Sequence, residues 1–424
     1  MEHATSEPPA VDDATAASPA VDDATAASPA VDDATAASPA VDDATAASPA
    51  VDDATAMRLA VRAAERGRVT APPNPWVGCV LVNDGKVVGI GHHERPGLSH
   101  AEVNALAAAG ERARGATAVV TLEPCNHTGR TGPCTEALIK AGVDRVIVGV
   151  KDPDPQVAGT GISRLEAAGI DVAVGIEADL VEDSLAPYLY QRTTGSCFVV
   201  CKVASSIDGR SAAQDGTSQW ITGPSARSDV HRIRAQSQAI VVGSGTALAD
   251  NPTLTPRGEW EGPRPLRVVL DGRGAVSPVG HLAETHIAPT IVVTAAMADD
   301  RRAEWLAAGA EVWHLPVRGD GALDLSELWV RLAQRGVVQA LVEAGPVLAG
   351  SVVEQRQFQR LITYVGSTWL GSSARPVFDI AGPATMSAAP RLSLQDVTAF
   401  DNDVRLTYAM VEPPSATDTS QGRV

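Results

Sequence analysis

Residues 121–134 read Thr-Leu-Glu-Pro-Cys-Asn-His-Thr-Gly-Arg-Thr-Gly-Pro-Cys, and residues 100–102 read His-Ala-Glu. The longer stretch follows an apolar run that predicts a strand, and each stretch leads into a segment that predicts a helix. Two cysteines and a histidine so placed favour zinc, and three protein ligands leave a fourth position for water. These motifs therefore predict an α/β domain built around a metal site of the catalytic type.

The candidate ligands are His100, Cys125 and Cys134, while Glu102 lies too close to His100 to be an easy fourth ligand. Glu102 is instead placed to take a proton from a zinc-activated water and to give it to a departing amine. Zinc nucleobase deaminases carry His-x-Glu followed by Pro-Cys-x-x-Cys, whereas eight residues separate the two cysteines here. The spacing alone therefore leaves open three unconnected buried residues, and His127 is a rival ligand.

Strands and helices alternate around these motifs, and the turn Asn83-Asp84-Gly85 predicts a hairpin. Such alternation predicts a largely parallel sheet with helices on its faces. The expected elements are strands Val77–Val82, Lys86–Gly91, Ala118–Leu122, Arg145–Val150 and Asp171–Val174, with helices Ala101–Ala109, Thr135–Ala141 and one ending near Gly169.

A second series of strands begins after Tyr188–Gly195, which is interpreted as a polar exit from the first unit. Its expected strands are Phe198–Val203, Ala239–Val242, Leu266–Leu270, Thr290–Thr294, Val338–Val342 and Leu361–Val365. The run Val242–Leu248 has only part of a dinucleotide-binding glycine pattern and is typical of a plain turn. The run Ala340–Gly350 favours either a phosphate-binding helix N-terminus or ordinary turn chemistry.

The net charge of −17 is unevenly distributed. Residues 1–56 contain 12 acidic residues and no Lys or Arg, so the rest of the chain has 39 acidic against 34 basic side chains, close to −5. A mildly acidic chain without a dense basic run argues against binding of nucleic acid. We expect no membrane span, because no run reaches roughly 18 apolar residues. We expect a cytoplasmic location, because the N-terminus lacks the basic and apolar regions of a signal peptide.

Five cysteines in 424 residues exclude a disulfide scaffold. Cys79, Cys197 and Cys201 are interpreted as buried hydrophobic residues.

A ten-residue repeat, Pro-Ala-Val-Asp-Asp-Ala-Thr-Ala-Ala-Ser, begins at Pro9 and recurs to Pro49. One large apolar residue per copy cannot offset the entropy of ordering, so residues 1–48 are predicted to be disordered, with a tether or docking tail as the functional alternative. The last copy runs into a helix with Asp52 or Asp53 as its N-cap and Gly67 after its end. Val51–Ala56 would then be the original helix start, and the upstream copies would be duplications of it.

Several motifs resemble the bifunctional riboflavin-biosynthesis deaminase–reductase family, over roughly residues 50–412. In the first half they are Thr70–Gly78, Gly91–Ala105, the quoted 121–134 stretch and Asp152–Gly159. In the second half they are Lys202–Arg210, Ser218–Thr222, Arg227–Asp229, Arg234–Gln236, Gly243–Pro252 and Val342–Gly345. The longer Cys-x8-Cys spacing is typical of that family. The resemblance implies a cytidine-deaminase-like three-layer domain followed by a dihydrofolate-reductase-like α/β domain.

The resemblance also implies roles for individual residues. In the first domain His100, Cys125 and Cys134 would bind zinc, Glu102 would move the proton, and Asn74 would recognise the base, with a turn residue between prolines as the alternative. In the second domain the NADPH site would comprise Ala204, Trp220, Thr246, Asp250, Gly272 and the loop Gly345, Pro346, Val347, Leu348, Ala349, Gly350 and Ser351. Its substrate contacts would be Ser218, Arg234, Leu254, Arg257 and Glu343.

Arg234 and Arg257 suit a phosphate, which a guanidinium can bind through two parallel hydrogen bonds. Lys202 and Asp208 would act near the hydride-transfer centre or form a charge pair at a strand end. Trp220 would stack on the cofactor or fill the core.

The implied function is deamination of 2,5-diamino-6-(5-phosphoribosylamino)pyrimidin-4-one, followed by NADPH-dependent reduction of the ribosyl to a ribityl side chain. The expected domains are the tail 1–48, a zinc deaminase domain 49–194, a reductase domain 195–412 and a flexible C-terminus 413–424. The expected partner is a small phosphoribosyl-pyrimidine, and a homo-oligomer is compatible with the sequence. The alternative functions are a pyrimidine nucleotide or tRNA deaminase with a non-catalytic second domain, and an interaction protein that acts through its tail.

Deletion of Glu2–Ser48 tests the interpretation of the repeats. We expect the melting temperature and both activities to stay close to those of the full chain, because the repeats contribute no core. Differential scanning calorimetry and activity assays on the two chains check this. A large loss of stability or activity would show that the repeats belong to the folded enzyme.

Overall fold

The computed structural model describes residues 50–128, 132–155, 157–319 and 321–411. The described residues belong to one compact unit. The predicted tail 1–48 and the predicted flexible segment 413–424 lie outside the described residues. Within the described ranges, the helices lack the combination of length and apolar character that crossing a membrane requires.

Helix α1 (Asp53–Ala64) begins where the sequence predicts. The side chain of Asp52 accepts a hydrogen bond of 2.7 Å from the amide of Thr55, which satisfies one of the free N–H groups of the first turn. The predicted helix end is wrong in detail, because a short 3-10 turn from Glu65 to Gly67 follows α1. Gly67 is needed for space rather than for a left-handed cap, since a Cβ there would overlap the carbonyl oxygen of His93.

The first sheet carries the motifs quoted above and has the strand order β2-β1-β3-β4-β5. Its elements run β1 (Gly78–Asn83), β2 (Lys86–His92), α2 (Ala101–Ala109), β3 (Thr117–Leu122), α3 (Cys134–Ala141), β4 (Arg145–Val150), α4 (Thr160–Ala167), β5 (Asp171–Val174) and α5 (Ala178–Thr194). Strands β3, β4 and β5 are parallel, whereas β1 is antiparallel to both of its neighbours. Asp84 and Gly85 adopt the positive φ angles that a two-residue hairpin turn requires, so the predicted hairpin is confirmed.

Helices cover both faces of this sheet. One face packs against α1 and α5 through residues such as Met57 and Leu185. The other packs against α2, α3 and α4 through residues such as Ala105, Leu138 and Leu165. Successive strand residues alternate between the two cores, as the pleat requires, and the result is the three-layer arrangement.

The interpretation of Tyr188–Gly195 as a polar exit is wrong, because most of it lies in α5. Pro187 and several polar residues hide the helix in the sequence, but Val181, Leu185 and Tyr188 form one buried stripe at helical spacing. Further along, the side chain of Gln191 donates a hydrogen bond of 3.4 Å to the carbonyl of Ala333. Helix α5 therefore packs on both halves of the chain.

The second sheet has nine strands in the order β11-β10-β9-β8-β12-β6-β13-β16-β15. Its strands are β6 (Phe198–Ser206), β8 (Ala239–Gly243), β9 (Leu266–Leu270), β10 (Thr290–Thr294), β11 (Glu311–His314), β12 (Gln339–Glu343), β13 (Arg360–Gly366), β15 (Leu392–Phe400) and β16 (Asp403–Met410). The helices are α6 (Pro224–Ala235), α7 (Ser244–Asp250), α8 (Asp299–Ala307), α9 (Leu325–Gln334) and α10 (Pro346–Glu354), and β7 (Arg210–Ala212) pairs separately with β14 (Arg375–Pro376).

The six strands predicted in this half are confirmed. The antiparallel hairpin β15–β16 and the short strand β11 were not predicted. Strand β11 has only four residues, most of β15 is exposed, and β16 is partly buried but mixes polar residues with its apolar ones. The remaining strands run parallel and form the buried centre of the sheet. Cys79, Cys197 and Cys201 are at most 1% exposed, as expected for buried hydrophobic residues.

Gly78 tests the close packing of α1 on β1. A Cβ at Gly78 would overlap the carbonyl oxygen of Ala60 and lie 2.8 Å from the amide nitrogen of Ala64. We expect Gly78→Ala to lower the free energy of unfolding by about 1–3 kcal/mol, the usual cost of overpacking. Urea unfolding measures it, with Gly245→Ala as the control because no atom lies within 4 Å of that Cβ position. Equal stabilities of the two variants would contradict the packing described here.

Candidate functional site

Three sulfur and nitrogen ligands meet at one point beside the first sheet. The Nδ1 atom of His100 lies 3.5 Å from the Sγ of Cys125 and 3.3 Å from the Sγ of Cys134. These atoms all lie within 4.8 Å of one another, and they form the metal-binding group found among the described residues. The rival ligand His127 is exposed and lies outside this group.

The local fold explains why these three side chains meet. His100 is the N-cap of α2 and Cys134 is the first residue of α3, so two helix N-termini point at the cluster. Their dipoles favour negative charge on the sulfurs. Cys125 follows β3, and its carbonyl accepts a hydrogen bond of 3.2 Å from the amide of Thr135, which ties the loop to α3.

The donor set fits zinc. Ligands at the usual Zn–S distance of about 2.3 Å and Zn–N distance of about 2.0–2.1 Å in a tetrahedron lie about 3.6 Å apart, close to the separations seen here. One thiol of the pair has a lowered pKa: hydrogen bonding by Cys134 and His100 lowers the pKa of Cys125 to about 4. A thiolate is the form that binds a metal.

Glu102 is the second residue of α2, within its first turn, and is 4% exposed. Burial raises the pKa of this carboxyl to about 7, and the nearby Cys125 sulfur adds to the effect. A carboxyl with such a pKa both accepts and releases a proton near neutral pH. The expected position of Glu102 next to the three ligands is therefore what the structure shows.

Asn74 reaches the same centre through His93. The amide nitrogen of Asn74 lies 3.1 Å from Nε2 of His93, whose ring packs edge-on against His100 at 5.2 Å between centroids. The Nδ1 atom of His93 lies 3.1 Å from the carbonyl oxygen of Ser99. His93 is a residue that the sequence reasoning missed, although it stands within a quoted motif, because nothing in its spacing distinguished it from His92.

Glu123 fixes the loop that carries Cys125. Its buried carboxylate accepts hydrogen bonds from the amides of Gly159, Gly161 and Ile162 at 3.0–3.2 Å, at the start of α4. These amides are the free donors of a helix N-terminus, where a carboxylate is stabilising. The metal-binding loop is thereby attached to the sheet and to α4.

The residues implied for the cofactor lie at the carboxyl ends of adjacent parallel strands. Ala204 lies near the end of β6, Gly272 follows β9, Thr246 and Asp250 lie in α7 after β8, and 345–351 follow β12. A Cβ on Gly345 would lie 3.4 Å from the hydroxyl of Thr246, so these two segments are neighbours. This edge is where ligands bind in open α/β sheets. Gly345 is the N-cap of α10 and Pro346 has no N–H, so the amides of Val347 and Leu348 are the free donors at the start of that helix.

Three of the substrate residues predicted for this half, Arg234, Glu343 and Arg257, are linked through α6. Arg234 forms a two-point ion pair with Glu343, with Nη2 to Oε2 at 2.7 Å, and donates to the carbonyl of Thr255 at 3.3 Å. Glu343 thus occupies the fork of the Arg234 guanidinium, and a contact between Arg234 and the substrate phosphate stays a prediction. Leu254 is buried, and Arg257 is exposed on the same loop.

Ser218 and Trp220 lie before α6. Both are exposed, Trp220 by 66%, and the Arg227 guanidinium stacks 4.2 Å from its ring centroid. The alternative that Trp220 fills the core is excluded. Its open face is available for stacking.

Lys202 and Asp208 do not form the charge pair considered from the sequence. Lys202 pairs in register with Glu343 across β6 and β12, and burial lowers its pKa. Asp208 accepts hydrogen bonds from the amides of Leu370 and Gly371, and its pKa is lowered to about 2 mainly by Ser206. Asp208 is thus a loop anchor, whereas Lys202 lies beside the proposed substrate contacts.

Two family descriptions match the two halves of the chain. The cytidine and deoxycytidylate deaminase zinc-binding region matches residues 50–150, and the RibD C-terminal domain matches residues 197–406. The riboflavin biosynthesis protein RibD of Escherichia coli is 42% identical over 361 residues, which covers 82% of this chain and 96% of the relative. The chain belongs to the RibD family.

Other RibD proteins agree. RibD of Chlamydia trachomatis is 44% identical over 84% of this chain and 96% of the relative. The solved structure of Acinetobacter baumannii RibD (form 1) superposes with a TM-score of 0.76 at 39% identity, covering 85% of this chain and 99% of that one. The solved structure of the Thermotoga maritima deaminase/reductase also matches, with a TM-score of 0.74 at 31% identity, covering 85% of this chain and 99% of that one.

RibD membership confirms the predicted fold class and the bifunctional deaminase–reductase function in riboflavin biosynthesis. It favours this function over a deaminase with a non-catalytic second domain, because the second half is itself a reductase domain. The two domains imply zinc in the first, a nicotinamide cofactor in the second and a small-molecule substrate.

Glu123→Gln tests the anchor of the metal-binding loop. The glutamine amide would point an N–H group at one of the three amide donors, which leaves a buried donor unpaired. We expect the free energy of unfolding to fall by about 1–3 kcal/mol and zinc to dissociate faster. Chemical unfolding and a chromophoric zinc chelator measure these two quantities. Glu136→Gln is the control, because its exposed ion pair with Arg164 contributes little; the anchor role is wrong if both variants behave alike.

Proposed function

We propose that residues 49–194 hydrolyse the 2-amino group of 2,5-diamino-6-(5-phosphoribosylamino)pyrimidin-4-one and release ammonia. We further propose that residues 195–412 reduce the ribosyl group of the resulting 5-amino-6-(5-phosphoribosylamino)uracil to ribityl with NADPH. The Thermotoga maritima relative is a diaminohydroxyphosphoribosylaminopyrimidine deaminase and 5-amino-6-(5-phosphoribosylamino)uracil reductase, which supports these substrates. The observation that carries the proposal is the meeting of His100, Cys125 and Cys134 beside Glu102.

His100, Cys125 and Cys134 would hold the zinc ion and leave its fourth position open. When bound, zinc supplies Lewis-acid activation of a water molecule. The two helix N-termini and the Glu123 anchor hold the ligand atoms at the observed separations. The protein thus provides a preformed site rather than one that must assemble around the metal.

Glu102 moves the proton. Its carboxylate accepts a proton from the attacking water, and the resulting acid donates it to the amine, which leaves as ammonia. A pKa of about 7 suits both steps, because neither transfer is strongly uphill near neutral pH. Burial, the cause of that pKa, also keeps bulk water from competing for the proton.

Asn74 orients the pyrimidine. The Ser99 carbonyl only accepts hydrogen bonds, so His93 donates from Nδ1 and accepts at Nε2. The Asn74 amide N–H then donates to His93, and its Oδ1 remains to accept from an N–H of the base. This arrangement suits an amino-substituted pyrimidine.

The reductase half binds NADPH along the edge formed by the parallel strands. Ala204, Trp220, Thr246, Asp250, Gly272 and the loop Gly345–Ser351 would contact it, and the free amides at the start of α10 suit its phosphates. The cofactor supplies the hydride, and the protein supplies binding and orientation. Ser218, Arg234, Leu254, Arg257 and Glu343 would contact the substrate.

The mildly acidic body and its lack of a dense basic run in the sequence support an enzyme of small molecules that does not bind nucleic acid. We further propose a cytoplasmic location. A homo-oligomer remains part of this proposal.

Glu102→Gln separates the two activities. The amide cannot accept a proton, so ammonia release from the diaminopyrimidine should fall by about 10²–10⁴-fold, the usual contribution of general acid–base catalysis. Zinc content by mass spectrometry should stay unchanged, and NADPH oxidation on supplied 5-amino-6-(5-phosphoribosylamino)uracil should equal that of the unmodified chain. Retained ammonia release would refute the role of Glu102, and loss of both activities would refute the separation of the sites.

A further inference from the structure

One face of α6 carries a row of cationic and imidazole side chains. Arg227, His231 and Arg234 stand four and three residues apart, which places them on the same side of the helix. Arg227 stacks on Trp220 and Arg234 pairs with Glu343. This face of α6 therefore carries the contacts to Trp220 and to Glu343, and His231 lies between them.

The protonation of the His231 ring is fixed by its neighbour. Its Nδ1 atom accepts a hydrogen bond of 3.1 Å from the backbone amide of Arg257. Because an amide N–H only donates, the neutral ring carries its proton on Nε2. Among the described residues Nε2 has no hydrogen-bond partner, and it is not one of the buried atoms that lack one. The Nε2–H group is therefore a free donor that solvent or a ligand can reach.

The surroundings of His231 are positive. Arg234, Arg257 and Lys202 face it, and Glu343 is the carboxylate that opposes them. Burial, followed by Arg234 and Arg257, lowers the pKa of His231 to about 4, so the ring is neutral at pH 7. The Arg257 guanidinium makes no ion pair or hydrogen bond within the parts of the chain that the structure describes.

We propose that His231 binds a phosphate monoester in the reductase half, with Nε2–H and the Arg257 guanidinium as the two donors. Arg234 cannot bind the phosphate through the fork of its guanidinium, because Glu343 occupies that fork. A dianionic phosphate suits a pocket that has more cations than carboxylates and two free donors. The inference rests on the proposed function, which places Arg257 at the substrate.

Two phosphate monoesters reach this enzyme, the 5-phosphate of the ribosyl substrate and the 2′-phosphate of NADPH. We assign the site to the substrate, because His231 is bonded to the Arg257 segment and adjoins the Arg234–Glu343 pair. The cofactor residues instead follow the strand ends around Thr246 and Gly345. The kinetic test below separates the two sources.

The test uses two substitutions of the same residue in the full chain. His231→Asn keeps an acceptor near the Nδ1 position but removes the outer donor, whereas His231→Gln keeps a donor near the Nε2 position. With supplied 5-amino-6-(5-phosphoribosylamino)uracil, we expect His231→Asn to raise the substrate KM by about tenfold to a hundredfold, as for a lost hydrogen bond to a charged group. Its kcat and its KM for NADPH should stay unchanged, and His231→Gln should restore most of the substrate affinity.

Ribose 5-phosphate, tested as a competitive inhibitor, should lose affinity for the His231→Asn variant in the same proportion. The exposed His286 provides the matched control, and His286→Asn should change neither the substrate KM nor the inhibition constant of ribose 5-phosphate. An unchanged substrate KM in His231→Asn overturns the inference. A rise in the KM for NADPH alone also overturns it. So does an equal loss of substrate affinity in both His231 variants with a lower melting temperature, because that result would show that His231 only anchors the Arg257 segment.

Arg257→Ala separates this inference from the proposed function. If Arg257→Ala raises the substrate KM and His231→Asn does not, His231 is not a phosphate ligand but the substrate site stands. If Arg257→Ala also leaves the substrate KM unchanged, the proposed substrate site itself is wrong.

Discussion

Two sulfur atoms and one imidazole nitrogen must be held within 4.8 Å of one another in a largely buried place, and the first half of the molecule depends on this constraint. Removing a thiolate from water is costly unless positive partners surround it. The N-termini of α2 and α3 provide such partners, and Glu123 holds the loop of Cys125 against α4. The same burial gives Glu102 a pKa near neutrality, so the packing that forms the metal site also prepares the proton carrier.

The second half of the chain also holds charged side chains together, but it does so with an ion pair. There a half-buried ion pair joins Arg234 to Glu343, and the proposed donors on His231 and Arg257 lie next to it. Breaking such a pair leaves an uncompensated charge. The ion pair is therefore suited to hold α6 and β12 in a fixed relation, while Arg257 and His231 bind the proposed phosphate. Helix α5 packs on both halves, so each site is built on a framework that the other half helps to stabilise.

Local patterns in the sequence predicted what local physics determines. The hairpin at Asp84-Gly85, the start of α1 at Asp52 and the buried parallel strands all follow from turn, capping and apolar signals. Helix α5 was hidden by Pro187, and strands β15 and β16 mix polar with apolar residues, so no continuous apolar run marks them in the sequence. The roles of His93 and His231 depend on contacts with Asn74 and Arg257, which lie on other segments, and residue spacing does not reveal such contacts. The engagement of Arg234 by Glu343, 109 residues away, is of the same kind.

The central claim is that the first site is a zinc centre with two cysteine ligands and one histidine ligand. Zinc K-edge X-ray absorption on the purified full chain, combined with its zinc content, tests this claim most directly. The account predicts one zinc ion per chain with two sulfur neighbours at about 2.3 Å and nitrogen or oxygen neighbours at about 2.0–2.1 Å, and one sulfur fewer in Cys134→Ser. Zinc without sulfur neighbours, or a spectrum that Cys134→Ser leaves unchanged, would contradict it.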